Sequence, residues 1–361
     1  MRNELSLLIK PASALCDLNC GYCFYRRIAE ERDAPGEIMA EATAATLLDR
    51  AFSLRPAALS LTFQGGEPTL AGLDWFRRFL ALTEEKNTDR VPVFLSLQTN
   101  GTRIDGEWAA FFKENRFLVG LSLDGDKETN DRFRRDPAGN SVYDRTLRAA
   151  ATLTAHGVEF NILSVVTDES AGEIDRTYES FKRLGFRYLQ FIPLVDEGGA
   201  RLGVQAYESF LKRVFDLWYE DFAKGDYISV RHIDNYVRML LGGPPESCAM
   251  GGVCGRYYVI EADGAVYPCD FYCRAPYRLG SVFDDAPFGD SEAHRAFLAG
   301  SYSIHETCRR CEYYFLCRGG CRRDRTDGGT KNKYCAAYRG FFAYALPRLR
   351  DAARRVLDAE K

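Results

Sequence analysis

Cysteine is the residue type whose number and spacing point most strongly to chemistry in this chain. Its 361 residues include 12 cysteines but only 4 histidines. In a reducing compartment, that many cysteines more often ligate metals or carry out redox chemistry than form a disulfide framework. They fall into an early group of Cys16, Cys20 and Cys23 and a late group of Cys248, Cys254, Cys269, Cys273, Cys308, Cys311, Cys317, Cys321 and Cys335.

The early group has the spacing Cys-x3-Cys-x2-Cys and follows the first predicted strand. Active loops in parallel α/β sheets lie at the carboxyl ends of strands, so this position suits a site. Three thiolates cannot complete a tetrahedral metal site, and on a [4Fe–4S] cluster they leave one iron open to a non-protein ligand. The spacing alone also allows a zinc site completed by a distant residue, or three reduced buried thiols.

The late cysteines are numerous enough for two sites of four thiolates each. Thiolate-only ligation is typical of iron–sulfur clusters, and the shortage of histidine argues against mixed Cys/His zinc sites. A pair of four-cysteine zinc ribbons is the alternative. A basic stretch around Cys321 is expected to form an exposed face, and contact with an acidic substrate or with the negative charge of a cluster is the alternative. It consists of Arg318, Arg322, Arg323 and Arg325.

Two further features could serve a ligand or a reaction. The segment Gly65-Gly66-Glu67-Pro68 either makes a plain turn or lets the backbone approach a ligand closely. Asp270 directly follows Cys269, and an aspartate at such a position most often caps a turn.

Hydrophobic periodicity predicts the elements that must position these residues. Between the two cysteine groups, short apolar runs alternate with amphipathic helical patterns, which favours βαβ units and a parallel sheet. Right-handed crossovers then give an open doubly wound sheet or a partial six-unit β/α barrel, because six units are too few for a full eight-fold barrel. The predicted strands are Leu5–Ile9, Leu59–Phe63, Val93–Leu97, Leu118–Leu123, Glu159–Val166 and Tyr188–Ile192, and the predicted helices are Glu41–Ser53, Trp75–Lys86, Gly106–Asn115, Val142–His156 and Ala171–Leu184.

The rest of the chain contains fewer predicted elements. A strong amphipathic helix is predicted over Tyr207–Phe222, for core packing or for bridging the two halves of the chain. Tyr257–Ala262 and Ala265–Tyr267 are predicted to pair as a β-hairpin through Asp263-Gly264. A helical tail is predicted over Phe341–Leu357, with a kink at Pro347.

Composition excludes several classes of protein. Lys and Arg total 48 against 51 Asp and Glu, and the net charge of −3 gives no reason to expect nucleic-acid binding. No apolar stretch reaches the roughly 18 residues that span a bilayer, and the first residues lack the pattern of a signal peptide. We therefore expect a cytoplasmic protein that binds neither a membrane nor nucleic acid.

The early cysteines, with Tyr22 before the third of them, resemble the signature of the radical S-adenosylmethionine (SAM) superfamily. The resemblance implies a [4Fe–4S] cluster whose open iron binds SAM and cleaves it to a 5′-deoxyadenosyl radical. The protein then orients the cofactor and excludes water. Arg134 suits a carboxylate, although its charged neighbourhood could be a solvated face. By resemblance, the residues that bind SAM are Tyr22, Gly65, Gly66, Glu67, Ser122, Arg134 and Val195.

The late cysteines resemble the pattern of the SPASM domain, Cys-x9-Gly-x4-Cys followed by Cys-x2-Cys-x5-Cys-x3-Cys and a last cysteine. The implied fold is a partial (β/α)6 TIM-like radical SAM barrel with its bridging helix in residues 1–230. A small SPASM domain with a β-hairpin and helices follows in residues 231–361. The implied ligands are Cys248, Cys254, Cys269 and Cys321 for the first auxiliary [4Fe–4S] cluster, and Cys308, Cys311, Cys317 and Cys335 for the second, which leaves Cys273 over.

A finer resemblance, over nearly the whole chain, is to the anaerobic sulfatase-maturating enzymes. It implies oxidation of a cysteine or serine in an unfolded sulfatase segment, Cys/Ser-x-Pro-x-Arg, to Cα-formylglycine, with Asp270 as base and a flavodoxin or ferredoxin as electron donor. A SPASM enzyme that forms a thioether or carbon–carbon crosslink in a small ribosomal peptide is the alternative. The segments that carry this resemblance include Leu5–Pro11, Gln64–Gly72, Ser96–Gly101, Asp216–Phe222 and Tyr267–Tyr272.

Overall fold

The strand Ala58–Phe63 shows how the sequence builds a two-faced sheet. Leu59, Leu61 and Phe63 are fully buried, whereas the intervening Ser60 and Thr62 are only half-buried. Successive side chains of a strand point to opposite faces, so one face packs into an apolar core and the other presents hydroxyl groups. The polar face continues onto the next strand, where the Ser96 hydroxyl lies 2.8 Å from that of Thr62.

The structure is a computed structural model that describes residues 4–32, 36–195, 200–285, 291–326 and 328–359. The chain divides into two compact units, each built from several separate segments. The first unit takes in Met1–Ser122, Phe133–Phe160 and Gly255–Phe297, and the second takes in Leu123–Arg132, Asn161–Cys254 and Leu298–Lys361.

The strands of each unit form an ordered sheet. In the first unit the order is β10-β9-β8-β1-β2-β3-β4, with β1 to β4 parallel, β8 parallel to β1, and β9 antiparallel to both its neighbours. In the second unit β5, β6 and β7 are parallel, and β11 and β12 form a separate antiparallel pair. The strands are β1 Glu4–Ile9, β2 Ala58–Phe63, β3 Val93–Thr99, β4 Leu118–Ser122, β5 Phe160–Val166, β6 Tyr188–Pro193, β7 Ser229–Val230, β8 Tyr258–Ile260, β9 Ala265–Tyr267, β10 Gly280–Ser281, β11 Arg325–Thr326 and β12 Lys331–Asn332.

Helices follow most of the parallel strands, as the alternating sequence pattern predicts. Short 3-10 turns begin at Pro68, Asp270, Ala275 and Arg322. The helices are α1 Phe24–Arg32, α2 Glu41–Ser53, α3 Leu73–Lys86, α4 Gly106–Glu114, α5 Lys127–Asp131, α6 Tyr143–Ala155, α7 Asp168–Gly172, α8 Ile174–Arg183, α9 Val204–Lys224, α10 Arg231–Leu240, α11 Cys248–Gly251, α12 Glu292–Tyr302, α13 Glu306–Arg309, α14 Tyr314–Cys317 and α15 Cys335–Ala359.

Two of the predicted helices need correction. The single helix predicted over Ala171–Leu184 is two helices. A capping box between Thr167 and Ser170 starts α7 at Asp168, and the helical conformation is interrupted at Glu173 before α8 begins. The predicted tail begins at Cys335 rather than at Phe341 and continues through Pro347 to Ala359. The six predicted strands and the hairpin of β8 and β9 are confirmed.

The second unit has a core between α9 and α15. Trp218 and Phe215 on α9 are buried, and the Phe215 ring lies 5.9 Å from that of Phe341 on α15. The core-packing role predicted for this helix is therefore confirmed. In the described part of the chain, no helix is long and apolar enough to cross a bilayer.

The first unit has an aromatic core around Phe63. This fully buried ring makes edge-to-face contacts at 5.0 Å with Phe76 and at 5.2 Å with Phe79.

We expect Phe63→Ala to lower the free energy of unfolding by about 3–5 kcal/mol, because it removes a large buried side chain and leaves a cavity. Urea unfolding measures this. The control is Phe94→Ala, whose side chain is 61% exposed, and an equal loss in both variants would contradict the prediction.

Candidate active site

The early cysteines lie on a loop between β1 and α1, and backbone hydrogen bonds hold this loop to residues 133–135. The N–H of Asn19 donates to the carbonyl of Arg135 at 2.8 Å, and the N–H of Gly21 donates to the carbonyl of Phe133 at 2.9 Å. The N–H of Leu18 points to the Cys16 sulfur at 3.4 Å. All three cysteines are half-buried free thiols. The loop therefore presents three thiols from a fixed backbone.

The two glycines of the Gly-Gly-Glu segment allow it to lie directly against this loop. Gly65 and Gly66 have φ angles of +99° and +45°. A Cβ on Gly66 would lie 2.1 Å from the carbonyl oxygen of Leu15, so only glycine fits there. The N–H of Glu67 donates to that same oxygen at 2.7 Å. The segment is thus docked onto the residue just before Cys16.

The buried Glu67 carboxylate connects two segments through hydrogen bonds. It is 1% exposed and accepts hydrogen bonds from the Thr69 hydroxyl at 2.7 Å, the Thr99 hydroxyl at 2.8 Å and the Asn100 N–H at 2.8 Å. Burial raises its pKa, although the hydrogen bonds oppose that shift. The carboxylate therefore ties the Gly-Gly-Glu segment to the end of β3.

The other residues predicted to bind SAM lie in both units. In the first unit, Ser122 at the end of β4 accepts a hydrogen bond from Gln98 at 2.8 Å. Arg134 is only 8% exposed, and its guanidinium carbon lies 5.6 Å from the centroid of the Tyr22 ring. The alternative of a solvated face is therefore wrong for Arg134. Val195 is half-buried and belongs to the second unit.

Asp270 lies at the centre of a buried polar cluster in the first unit. It is 3% exposed, and its Oδ2 accepts a hydrogen bond of 2.5 Å from the Tyr25 hydroxyl. Gln64 donates to the same hydroxyl at 2.7 Å. The ammonium of Lys10 lies 3.2 Å from Oδ1 as an ion pair, without hydrogen-bond geometry. Residues distant in sequence therefore hold this carboxylate, which is not the arrangement of a local turn cap.

Lys10 connects Asp270 to a second buried carboxylate. It donates to Glu261 Oε1 at 3.0 Å and to the Cys273 sulfur at 3.5 Å, and Ser13 donates to Glu261 Oε2 at 3.1 Å. Burial alone would lower the pKa of Lys10, but Cys273, which is negative only once it ionises at high pH, and the carboxylates of Asp270 and Glu261 raise it. Burial also raises the pKa of Cys273 to about 12, so this residue is a neutral thiol near neutral pH. Lys10 thus remains a cation between two carboxylates.

Tyr25 is a hydrogen-bond donor in this cluster. Burial, followed by the charge of Asp270 and their hydrogen bond, raises its pKa well above the usual value. Its ring also lies 4.8 Å from the Lys10 ammonium. The sequence patterns did not identify Tyr25, Lys10 or Glu261 as site residues. The signals for two of them are segments that carry the family resemblance, Leu5–Pro11 for Lys10 and Cys23-Phe24-Tyr25 for Tyr25.

The late cysteines of the second unit gather in two sets. Burial raises the pKa of Cys317 to about 11, and nearby Cys335, Cys308 and Cys311 raise it further. Burial likewise raises the pKa of Cys321 to about 11 and that of Cys254, with Cys248 adding to both shifts. Cys269 belongs to the first unit. Among these residues the structure therefore brings together Cys308, Cys311, Cys317 and Cys335 as one set, and Cys248, Cys254 and Cys321 as another.

The donor chemistry of these sets fits iron–sulfur clusters. All 12 cysteines are free, and each is half-buried except Cys273, which is buried. Within the described ranges, no group of three or more His, Cys, Asp or Glu side chains is arranged to hold a single metal ion. The thiolates of a four-iron cluster each bind a different iron, so they need not converge on one point.

Comparisons with known proteins agree with this site. Residues 11–181 match the model of the radical SAM superfamily, and residues 248–312 match that of SPASM, an iron–sulfur cluster-binding domain. The fold and the cysteine sets thus define a radical SAM protein with a SPASM domain, which is the predicted fold class. The chain belongs to the family of anaerobic sulfatase-maturating enzymes, as the following relatives show.

The relatives cover almost the whole chain. A cysteine-type anaerobic sulfatase-maturating enzyme of Clostridium perfringens is 42% identical over 98% of this chain and 99% of its own length. A serine-type enzyme of Klebsiella aerogenes is 32% identical over 96% of this chain and 87% of its own length. The solved structure of native anSMEcpe with bound AdoMet and Cp18Cys peptide is 40% identical, with a TM-score of 0.93 over 98% of this chain and 99% of that one.

Proposed function

We propose that this chain oxidises a cysteine side chain in an unfolded sulfatase segment, Cys-x-Pro-x-Arg, to Cα-formylglycine. The observation that carries the proposal is the buried carboxylate of Asp270, the residue directly after Cys269. Tyr25 hydrogen-bonds this carboxylate and Lys10 forms an ion pair with it. A peptide is bound in the related solved structure, which supports a polypeptide substrate.

The proposed cofactors are SAM and three [4Fe–4S] clusters. Cys16, Cys20 and Cys23 would hold the SAM-binding cluster. When bound, SAM and this cluster would supply a 5′-deoxyadenosyl radical for removal of a β-hydrogen, and the auxiliary clusters would supply an acceptor for one electron. A flavodoxin or ferredoxin is the proposed donor of the electron that cleaves SAM. The proposed auxiliary ligands are Cys248, Cys254, Cys269 and Cys321 for one cluster, and Cys308, Cys311, Cys317 and Cys335 for the other.

The SAM contacts are proposed from residues around the cysteine loop. Because the Glu67 carboxylate already accepts its hydrogen bonds from the protein, we assign the SAM amino group to the backbone of Gly65, Gly66 and Glu67. Buried Arg134, with Tyr22 beside it, is proposed to bind the SAM carboxylate. Ser122 is proposed to bind the ribose, and Val195 the adenine. Residues 1–230 would form the radical SAM domain and residues 231–361 the SPASM domain.

Asp270 is the proposed base. The substrate Cβ loses one hydrogen atom and one electron, and its thiol loses one proton, which leaves a thioaldehyde. Water then replaces sulfur, giving the aldehyde and hydrogen sulfide. Asp270 accepts the thiol proton. Tyr25 and Gln64 fix the carboxylate on one side and Lys10 on the other, so it is already oriented before substrate arrives.

The choice between cysteine and serine is tested with matched peptides. The cysteine-type relative is 42% identical and the serine-type relative 32%, which favours cysteine. We expect the Cys-x-Pro-x-Arg peptide to be oxidised faster than its serine counterpart when the two compete in one anaerobic reaction with SAM and a reductant. An alanine peptide is the control and should give no product. Faster oxidation of serine would contradict the cysteine assignment.

A further inference from the structure

Arg325 is a buried arginine in the second unit whose donors are all used by backbone carbonyls. Only 6% of its surface is exposed, although the sequence suggested an exposed basic face. That expectation is wrong for Arg325, whereas Arg318, Arg322 and Arg323 are partly exposed. The Arg325 hydrogen bonds run to the carbonyls of Ser301 at 2.7 Å, Ser303 at 2.9 Å, Gly252 at 2.6 Å, Gly320 at 3.1 Å and Gly319 at 3.3 Å.

These carbonyls belong to the segments that carry the late cysteines. Gly252 lies between Cys248 and Cys254, and the hydroxyl of Ser301 accepts a hydrogen bond from the Cys254 N–H at 3.1 Å. Gly319 and Gly320 lie between Cys317 and Cys321. One side chain therefore fastens loops that lead to both cysteine sets. A guanidinium is suited to this because it offers five N–H donors in a rigid planar fork.

Close packing around these loops leaves little room for another arrangement. A Cβ on Gly252 would lie 2.1 Å from the carbonyl oxygen of Arg318, the residue after Cys317. A Cβ on Gly320 would lie 2.4 Å from the side-chain amide nitrogen of Asn332. The backbone at Gly252 and the backbone just after Cys317 therefore lie against each other, and the Arg325 guanidinium donates to carbonyls of both segments.

The charge of Arg325 reaches both cysteine sets. The guanidinium donates to the carbonyl of Gly252, two residues before Cys254, and to that of Gly319, two residues after Cys317. Cys254 belongs to one set and Cys317 to the other. Among the described residues, the guanidinium donates its hydrogen bonds to carbonyl oxygens rather than to carboxylates. A cation in this position favours negative charge on either set of sulfurs.

We propose that Arg325 is a positioning residue for both auxiliary clusters, because its guanidinium holds their cysteine loops together and places one positive charge beside both sets. This rests on the proposed function only in assuming that the two sets bind iron. Arg325 touches no substrate, and its effect comes through the loops and through the charge. A cluster coordinated by four thiolates is negatively charged, so a buried cation nearby raises its reduction potential.

The test uses a chain that carries only the auxiliary clusters, in which Cys16, Cys20 and Cys23 are all replaced by Ala. In this background we compare Arg325→Lys and Arg325→Met, with Arg339→Met as the control that removes an exposed arginine one turn after Cys335. Iron and sulfide are measured after anaerobic reconstitution, and midpoint potentials by redox titration followed by electron paramagnetic resonance. Thermal unfolding of the iron-free chains shows whether each variant still folds.

We expect about eight irons per chain in the background, fewer in Arg325→Lys and fewest in Arg325→Met. Arg325→Lys keeps the charge, so its remaining clusters should keep their potentials, whereas those of Arg325→Met should become more negative. Full iron content with unchanged potentials in Arg325→Met would overturn the inference, as would an equal loss in Arg339→Met. If the background itself binds no iron, the proposed auxiliary clusters fail instead.

Discussion

Asp270→Asn should retain all three clusters and cleave SAM, yet lose at least about 99% of formylglycine formation, the scale of a lost general base. The amide has nearly the shape of the carboxylate, so the contacts of Tyr25 and Gln64 can persist. It cannot accept the thiol proton. Lys10 would still pair with Glu261 at 3.0 Å, so the buried cation keeps a partner. The measurements are iron content, 5′-deoxyadenosine and aldehyde product in the same anaerobic reaction.

Asp263→Asn is the matched control for this substitution. Asp263 is exposed in the hairpin turn, and its Oδ1 accepts a hydrogen bond from Ala265 at 2.9 Å that asparagine can also accept. This variant should keep full turnover. Full turnover in Asp270→Asn would remove Asp270 from the mechanism. Loss of iron in that variant would show that the carboxylate supports the fold rather than the proton transfer.

Gly66→Ala should reduce SAM cleavage more than about tenfold. The new Cβ would lie 2.1 Å from the carbonyl oxygen of Leu15 and 2.9 Å from the carbonyl carbon of Ala14. Neither Gly66 nor Leu15 can move freely. The Glu67 N–H donates a hydrogen bond to the Leu15 oxygen, and the Glu67 carboxylate accepts hydrogen bonds from Thr99 and Asn100 at the end of β3. The collision must displace the backbone that leads into Cys16. We therefore expect the iron of the first cluster and the yield of 5′-deoxyadenosine to fall more than about tenfold.

Gly139→Ala is the control that separates the steric collision of an added Cβ from the backbone strain of a positive φ. Gly139 also has a positive φ, +82°, but no atom lies within 4 Å of an added Cβ. Gly139→Ala therefore meets only the conformational cost of about 1–2 kcal/mol and should still cleave SAM. Cleavage at the unsubstituted rate in Gly66→Ala would contradict the contact between the Gly-Gly-Glu segment and the cysteine loop.

Features encoded locally were predictable from the sequence. The six parallel strands were found because each is a short apolar run bounded by polar turns, and α2 has the predicted bounds Glu41–Ser53. The grouping of Cys308 and Cys311 follows from their two-residue spacing. The break at Glu173 was missed because α7 and α8 together show one amphipathic pattern, while the capping box at Thr167 starts the first of them.

Features that depend on distant contacts were not predictable. Lys10 and Glu261 are 251 residues apart, and Tyr25 and Asp270 are 245 apart. Neither pairing leaves a spacing that a sequence pattern can reveal. The burial of Arg325 is not visible in the sequence for the same reason. A run of arginines is usually solvated, and the carbonyl partners of Arg325 come from three separate segments. Charged residues that are buried with partners are therefore the part of this site that only the structure provides.

The most direct test of the central claim is mass spectrometry of a Cys-x-Pro-x-Arg peptide after anaerobic reaction with the enzyme, SAM and a reductant. The predicted product has lost one sulfur and two hydrogens and gained one oxygen, with one 5′-deoxyadenosine formed per aldehyde. A product that has lost hydrogen but kept its sulfur in a crosslink would contradict formylglycine formation and identify a peptide-crosslinking enzyme.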